Sequence, residues 1–275
     1  MSLEGLRVLS LESRRAKEMA TLIQRHGGDP FVAPSVQEKG FDDPALAVAF
    51  VERLEAGEFD LVICMTGAGI AFLRDAVAPH MPLERLGAAL CKATIVSRGP
   101  KPVGVLRALN VPVSIVIPEP NTWKEIVQEL AGRPERRIAV QEYGRTNPEM
   151  TVALEGLGAT VAPIVLYRWE LPEDLAPLRE AIRRLIENRV DLILFTSSIQ
   201  LDHLFDVARG MGLEQEVKRA LADTVIASVG PVMTATLESH NLHAAIIPRH
   251  PKMASLVKAA AEDAHKFVRR DSLAT

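Results

Sequence analysis

Two stretches of this chain match each other at an offset of about 131 positions, and that repetition limits the fold more than any motif does. Phe59-Asp60-Leu61-Val62-Ile63-Cys64-Met65-Thr66 lies over Val190-Asp191-Leu192-Ile193-Leu194-Phe195-Thr196-Ser197. Gly99-Pro100 falls on Gly230-Pro231, Leu106 on Leu237 and Asn110 on Asn241. One position further, Ile117-Pro118 meets Ile247-Pro248 and Ile126-Val127 meets Leu256-Val257. Arg7-Val8-Leu9 similarly meets Arg137-Ile138-Ala139. Several ordered matches at nearly one offset mark a duplicated supersecondary unit. The 275 residues are also about twice a common domain length.

Within each copy, short apolar runs alternate with helical spacing. Residues 6–11 read as a strand, and 14–25 as a helix carrying Ala16, Met19, Ala20 and Ile23 before Gly27-Gly28. Residues 31–33 are extended, 44–55 helical and 61–65 a buried strand. Further strands are expected at 94–96, 113–117, 138–141, 161–166, 192–195, 225–227 and 244–247. Nearly all are apolar throughout rather than alternating, the signature of parallel strands covered on both faces. Asn-Gly and Asp-Gly hairpin turns are absent from the sequence. The fold class is therefore α/β: two doubly wound parallel-sheet lobes from a tandem repeat.

Composition narrows the function. Hydrophobic residues make up 48% of the chain, enough for real cores. A formal charge of −3 with no dense Lys/Arg run argues against a nucleic-acid partner. No apolar run approaches membrane-spanning length and none of signal-peptide length opens the chain, so no membrane association and a cytoplasmic location are expected. Cys64 and Cys91 form no CxxC pair, and the seven histidines show no HxH or HExxH spacing, so no metal is expected. Cys64 reads as a buried, inert thiol.

Ligands of open parallel sheets bind beyond the carboxyl ends of the strands, where helix N-termini point backbone N–H groups outward. In this chain those ends read Met65-Thr66-Gly67-Ala68-Gly69, Ser97-Arg98-Gly99-Pro100, Glu119-Pro120-Asn121-Thr122 and Tyr143-Gly144-Arg145-Thr146-Asn147. Thr196-Ser197-Ser198, Ser228-Val229-Gly230-Pro231 and His250-Pro251-Lys252 continue the series. Such turns cap helices in any protein. Their number, with Arg and Lys interspersed, suits several carboxylates or phosphates at once. Thr66, Ser97, Arg98, Tyr143, Arg145, Thr196 and Ser197 are expected to face one space between the lobes. Familiar catalytic patterns are missing. Phe72 stands where a dinucleotide fingerprint needs its third glycine, and neither a GxxxxGK[ST] loop nor a GxSxG elbow occurs. No pair of carboxylates stands at the strand ends. The residues describe a donor-rich site for a polyanion and no cofactor.

In this order the signatures resemble the uroporphyrinogen-III synthase family from Leu6 to about Val257. They are Arg14-Arg15 after the first strand, Gly27-Gly28, Pro34, Asp60-Leu61-Val62 with Thr66-Gly67, Ser97-Arg98-Gly99 and Tyr143-Gly144. Tyr167-Arg168, Asp191-Leu192 with Thr196-Ser197-Ser198, Val229-Gly230-Pro231 and Pro251 before Leu256-Val257 complete them. The resemblance implies lobes that are not simply the two repeats. Residues 1–35 plus 170–275 would form one, 41–166 the other, and 34–42 with 164–172 a two-stranded linker.

It also implies an activity: cyclisation of linear hydroxymethylbilane, an octacarboxylate, with loss of its terminal hydroxyl and inversion of the last pyrrole ring. No cofactor takes part, and a monomer is expected. Tyr167 would be the proton donor, with packing of the linker as its alternative role. Arg14, Thr66, Gly67, Ser97, Arg98, Gly99, Thr122, Tyr143, Gly144, Arg145, Thr196, Ser197, Ser198 and Gly230 would hold the substrate. One departure stands out. Many family members carry Thr two residues after the last Gly-Pro, where this chain has Val232-Met233 and reaches Thr234 one position late. That leaves open a synthase-like domain that binds a ligand without turning it over.

Overall fold

The structure, a computed structural model, describes residues 2–144 and 146–268. The chain divides into two compact units, residues 1–37 with 170–275 and residues 38–169. In chain order the first elements are β1 (Arg7–Ser10), α1 (Ala16–Arg25), β2 (Asp29–Val32), β3 (Gln37–Gly40) and α2 (Ala45–Glu55). There follow β4 (Leu61–Cys64), α3 (Gly67–Val77), α4 (Leu83–Leu90), β5 (Thr94–Ser97), α5 (Pro100–Ala108), β6 (Ile115–Val116) and α6 (Trp123–Leu130). Next come β7 (Arg137–Gln141), α7 (Pro148–Gly156), β8 (Thr160–Ile164), β9 (Tyr167–Glu170) and α8 (Ala176–Ile186). The last are β10 (Leu192–Phe195), α9 (Ser198–Gly210), α10 (Glu214–Asp223), β11 (Val225–Ser228), α11 (Pro231–Ser239) and α12 (Met253–Asp263).

The first unit holds a sheet of order β11-β10-β1-β2 and the second a sheet of order β6-β5-β4-β7-β8, both parallel throughout. The α/β class with parallel sheets is thus observed directly. β3 pairs with β9 in a separate two-stranded sheet. Alternate residues of each strand feed opposite faces. In β10, Ile193 and Phe195 join one core while Leu192 and Leu194 join another. In β4, Val62 and Cys64 face one way, Leu61 and Ile63 the other. A sheet with two buried faces needs strands apolar at every position, as these sequences are. Burial pushes the Cys64 thiol up to about 12, so it is inert at neutral pH.

The duplication survives in atomic detail. Gly99 and Gly230 both precede helices that begin with Pro, and Ser97 and Ser228 each donate a hydroxyl hydrogen bond to the carbonyl of that glycine, at 2.6 and 3.1 Å. Asn110 and Asn241 both end helices in the left-handed region, at φ 57° and 58°, which Asn tolerates. Asp191 accepts from Arg7 through its backbone N–H, Nε and Nη2 at 2.7–2.9 Å. Asp60 accepts from the same three atoms of Arg137. Each unit is assembled from parts of both repeats, because β1-α1-β2 of the first copy completes the sheet of β10 and β11.

Two expectations are corrected. The simple strand–helix alternation misses a second helix between paired strands, α4 in one copy and α10 in the other. The strands expected at 113–117 and 244–247 shrink to the two residues of β6 and to a single parallel bridge, Ala227 with Ile246. Both lie at sheet edges, where only one neighbour supplies hydrogen bonds.

The Asp60–Arg137 pair sets a pH dependence. Arg137 holds the Asp60 carboxyl down at about 2, against an ordinary value of 3.8. A depressed folded-state value stabilises the fold above pH 3.8 and is lost as pH falls toward 2. Asp60→Asn is therefore expected to lower the melting temperature modestly at pH 5–7 and not at all by about pH 2. Equal wild-type and variant melts across that range would remove the pair from the stability of this unit.

Candidate functional site

In the second unit the ends of β4, β5 and β7 bring their loops together above the sheet, and β9 adds aromatic side chains. Thr66 follows β4 in extended conformation and caps α3, its hydroxyl oxygen accepting the Gly69 N–H at 2.9 Å. Gln141, at the end of β7, accepts the Thr66 N–H through Oε1 at 3.2 Å and donates through Nε2 to the Glu142 carbonyl. A Cβ at position 69 would lie 1.8 Å from that amide, so only glycine leaves it a seat.

Tyr167 has no exposed surface. Its ring stacks on Phe72 with centroids 5.1 Å apart and meets the edge of Trp169 at 6.5 Å. Its hydroxyl lies 3.2 Å from Thr66 Oγ1, and either oxygen can be the donor. Trp169 in turn covers Gly144, where φ is +79° and a Cβ would fall 2.7 Å from the indole. Tyr143, tilted against Trp169 at 5.8 Å, accepts a hydrogen bond from Asn147 Nδ2 at 3.3 Å.

Arg98 follows β5, with its guanidinium carbon 5.1 Å from the centre of the Tyr143 ring. Among the described residues it makes no ion pair, whereas other arginines of this unit, such as Arg85, Arg133 and Arg137, are paired. Burial pushes its pKa down, opposed by Tyr143, Tyr167 and Glu142. Five N–H donors therefore stand over an aromatic face with no carboxylate in contact. Glu142, directly after β7, is fully buried, and burial pushes its carboxyl up to about 7 against the Asn147 N–H and the charge of Arg98. Sequence reasoning missed Glu142 because one carboxylate between Gln141 and Tyr143 forms no pattern. Its place directly after an apolar strand was the available signal.

Other expected positions have internal partners. Ser97 is buried and spends its hydroxyl on Gly99. Thr122 and Glu125 form a capping box on α6. Gly67 lets α3 approach Lys101, whose carbonyl would sit 2.8 Å from a Cβ there. Arg145 lies outside the described residues.

In the first unit, Thr196 donates its hydroxyl to Glu12 Oε2 at 2.6 Å and receives Gln200 Nε2 at 2.8 Å. Ser197 is the N-cap of α9, Ser198 is buried and Arg14 is exposed. Met233 packs in the core, while Thr234 donates to the Gly230 carbonyl at 3.1 Å beside Ser228. Among the described residues, no group of three His, Cys, Asp or Glu side chains is placed to hold a metal ion, and no helix is long and apolar enough to cross a membrane.

A family model described as uroporphyrinogen-III synthase HemD matches residues 17–258. The chain belongs to the uroporphyrinogen-III synthase family. An uncharacterized protein of Bacillus subtilis, YjjA, is 28% identical over 92% of this chain and 94% of its own. A protein of Methanothermobacter thermautotrophicus, named provisionally as a uroporphyrinogen-III synthase, is 27% identical over 90% of this chain and 94% of its own. The fold matches a crystal structure of a mutant uroporphyrinogen III synthase from the extreme thermophile Thermus thermophilus with a TM-score of 0.69, at 23% identity over 95% of this chain and 99% of that one.

Proposed function

We propose that the chain is a uroporphyrinogen-III synthase that cyclises linear hydroxymethylbilane, an octacarboxylate, and inverts its last pyrrole ring. The observation that supports this best is Arg98, a partly buried guanidinium over the Tyr143 ring with no ion-pair partner among the described residues. A cation desolvated without a counter-ion is costly, and a ligand carboxylate relieves that cost. Thr66 and the N-terminus of α3 stand at the neighbouring strand end and extend the donor set.

The reaction breaks the carbon–oxygen bond of the terminal hydroxymethyl group, and water leaves once a proton is supplied. The freed carbon is attacked by the substituted carbon of the last ring, giving a spiro intermediate that rearranges and closes. Holding a flexible chain in one reactive conformation is the main task, and orientation supplies much of the rate. Tyr167 is the proposed proton donor, and no cofactor is required.

A rival reading, a synthase-like domain that binds without turnover, draws on the first unit. There Thr196 already serves Glu12, and Thr234 serves its own turn. Incubation with freshly generated hydroxymethylbilane and isomer analysis of the porphyrin decides between them. The inverted-ring isomer is expected. Only the uninverted isomer, with the ligand bound, would establish the rival.

Arg98→Ala is expected to weaken binding by roughly 1.5–3 kcal/mol, the cost of a lost charged hydrogen bond. That is a rise of about tenfold or more in KM. An unchanged KM would take Arg98 out of the site.

A further inference from the structure

Glu142 is a titratable group that the proposed reaction leaves unused. No part of it is exposed. One carboxyl oxygen accepts the Asn147 N–H at 3.1 Å, at the N-cap of α7, and the other has no hydrogen-bond partner among the described residues. A buried carboxylate with one oxygen unsatisfied is poorly stabilised, so the neutral acid competes with it. Among the described residues the cation that acts on it is Arg98, from the β5–α5 turn, whose guanidinium stands over the ring of the next residue, Tyr143.

We infer that Glu142 is a positioning residue that works through Arg98, holding a proton whenever a ligand carboxylate occupies the guanidinium. This rests on the reading that Arg98 receives such a carboxylate. With Arg98 unoccupied, its charge favours ionised Glu142. A ligand carboxylate on Arg98 removes that support and adds a second negative charge beside a buried one. Glu142 then takes up a proton, and the whole guanidinium charge is left to the ligand. Binding and protonation are thereby reciprocal.

The sign follows from the position of the free group. Burial places the Glu142 carboxyl at about 7, and a bound carboxylate raises it further. Well below pH 7 Glu142 is protonated with or without ligand, and affinity does not depend on its titration. Above pH 7 binding must draw a proton, and affinity falls by up to about tenfold per pH unit. Among the described residues, the other titratable groups acting on Arg98 are Tyr143, next in the chain after Glu142, and Tyr167, from β9. Ligand carboxylates ordinarily titrate near pH 4, below this window.

The test is calorimetric titration of the full chain with uroporphyrinogen III, kept reduced, at pH 7.5 in two buffers of different ionisation enthalpy. Wild-type protein is expected to take up roughly half to one proton per ligand. Glu142→Gln, a mimic of the neutral acid, is expected to take up none and to hold its affinity flat from pH 7 to 8.5. Absence of proton uptake by the wild type overturns the inference even if the variant does not fold. Undiminished uptake by Glu142→Gln overturns it as well. Arg98→Ala separates the two readings. If that variant binds like wild type, the Arg98 site itself fails. If it binds weakly while wild type takes up no proton, the site stands and the role of Glu142 falls.

Discussion

Replacing Arg7 with Met is expected to cost the fold about 3 kcal/mol, whereas Arg137→Met, its counterpart in the repeat, should cost a small fraction of that. The two pairs share one geometry, with a guanidinium and a backbone N–H on the same carboxylate. They differ in burial. The Asp191 side chain is 1% exposed and its Arg7 partner 34%, against 30% and 55% for Asp60 and Arg137. Removing the cation from Asp191 strands a charge that water cannot reach, and a broken buried pair typically costs about 3–5 kcal/mol. The lower end applies because Asp191 keeps the Arg7 backbone N–H and can take up a proton. Urea unfolding of both variants at pH 7 measures the contrast. Equal losses would mean that the shared geometry, not burial, sets the value of these pairs.

The same contrast shows what a sequence can carry. Asp60 and Asp191 are visible as a repeated pair, as are Gly99 and Gly230, because each does a local job at a strand or helix end that only a few residue types perform. Continuous apolar runs revealed strands buried on both faces. Pairings across long separations left no such trace. Thr196 reads as a free donor until the fold places Glu12 under it, 184 positions earlier. Ser97 reads as a ligand until its hydroxyl turns inward to Gly99. Glu142 acquires its chemistry from burial, which depends on α7 starting at Asn147, and from Arg98 just after β5, with β4 between that strand and β7. The edge strands were expected too long for a related reason. Apolar content predicts burial, but the length of a strand depends on how many neighbours it pairs with.

Tyr167→Phe is expected to keep the fold and substrate affinity while turnover falls by up to about 10²–10⁴-fold, the usual worth of general acid–base assistance. The variant isolates the hydroxyl, since the phenyl ring retains the stack on Phe72 and the edge contact with Trp169. Loss of the 3.2 Å bond to Thr66 should cost only about 0.5–1.5 kcal/mol of stability. That bond also gives the proton a direction. Thr66 Oγ1 accepts from Gly69 and has one proton of its own to donate. When that proton goes to the Tyr167 oxygen, it orients the phenol hydroxyl. Thr66→Val removes this orientation and should lower turnover too, with an added loss of about 1 kcal/mol from the uncapped α3. In Tyr167→Phe the effect belongs in kcat, with KM close to wild type, because that hydroxyl acts on the bond that breaks rather than on the carboxylates that bind. Wild-type turnover by Tyr167→Phe would show the hydroxyl to be dispensable and leave Tyr167 as packing for β9. A variant that melts many degrees early, with turnover lost in step with folded protein, would lead to the same conclusion.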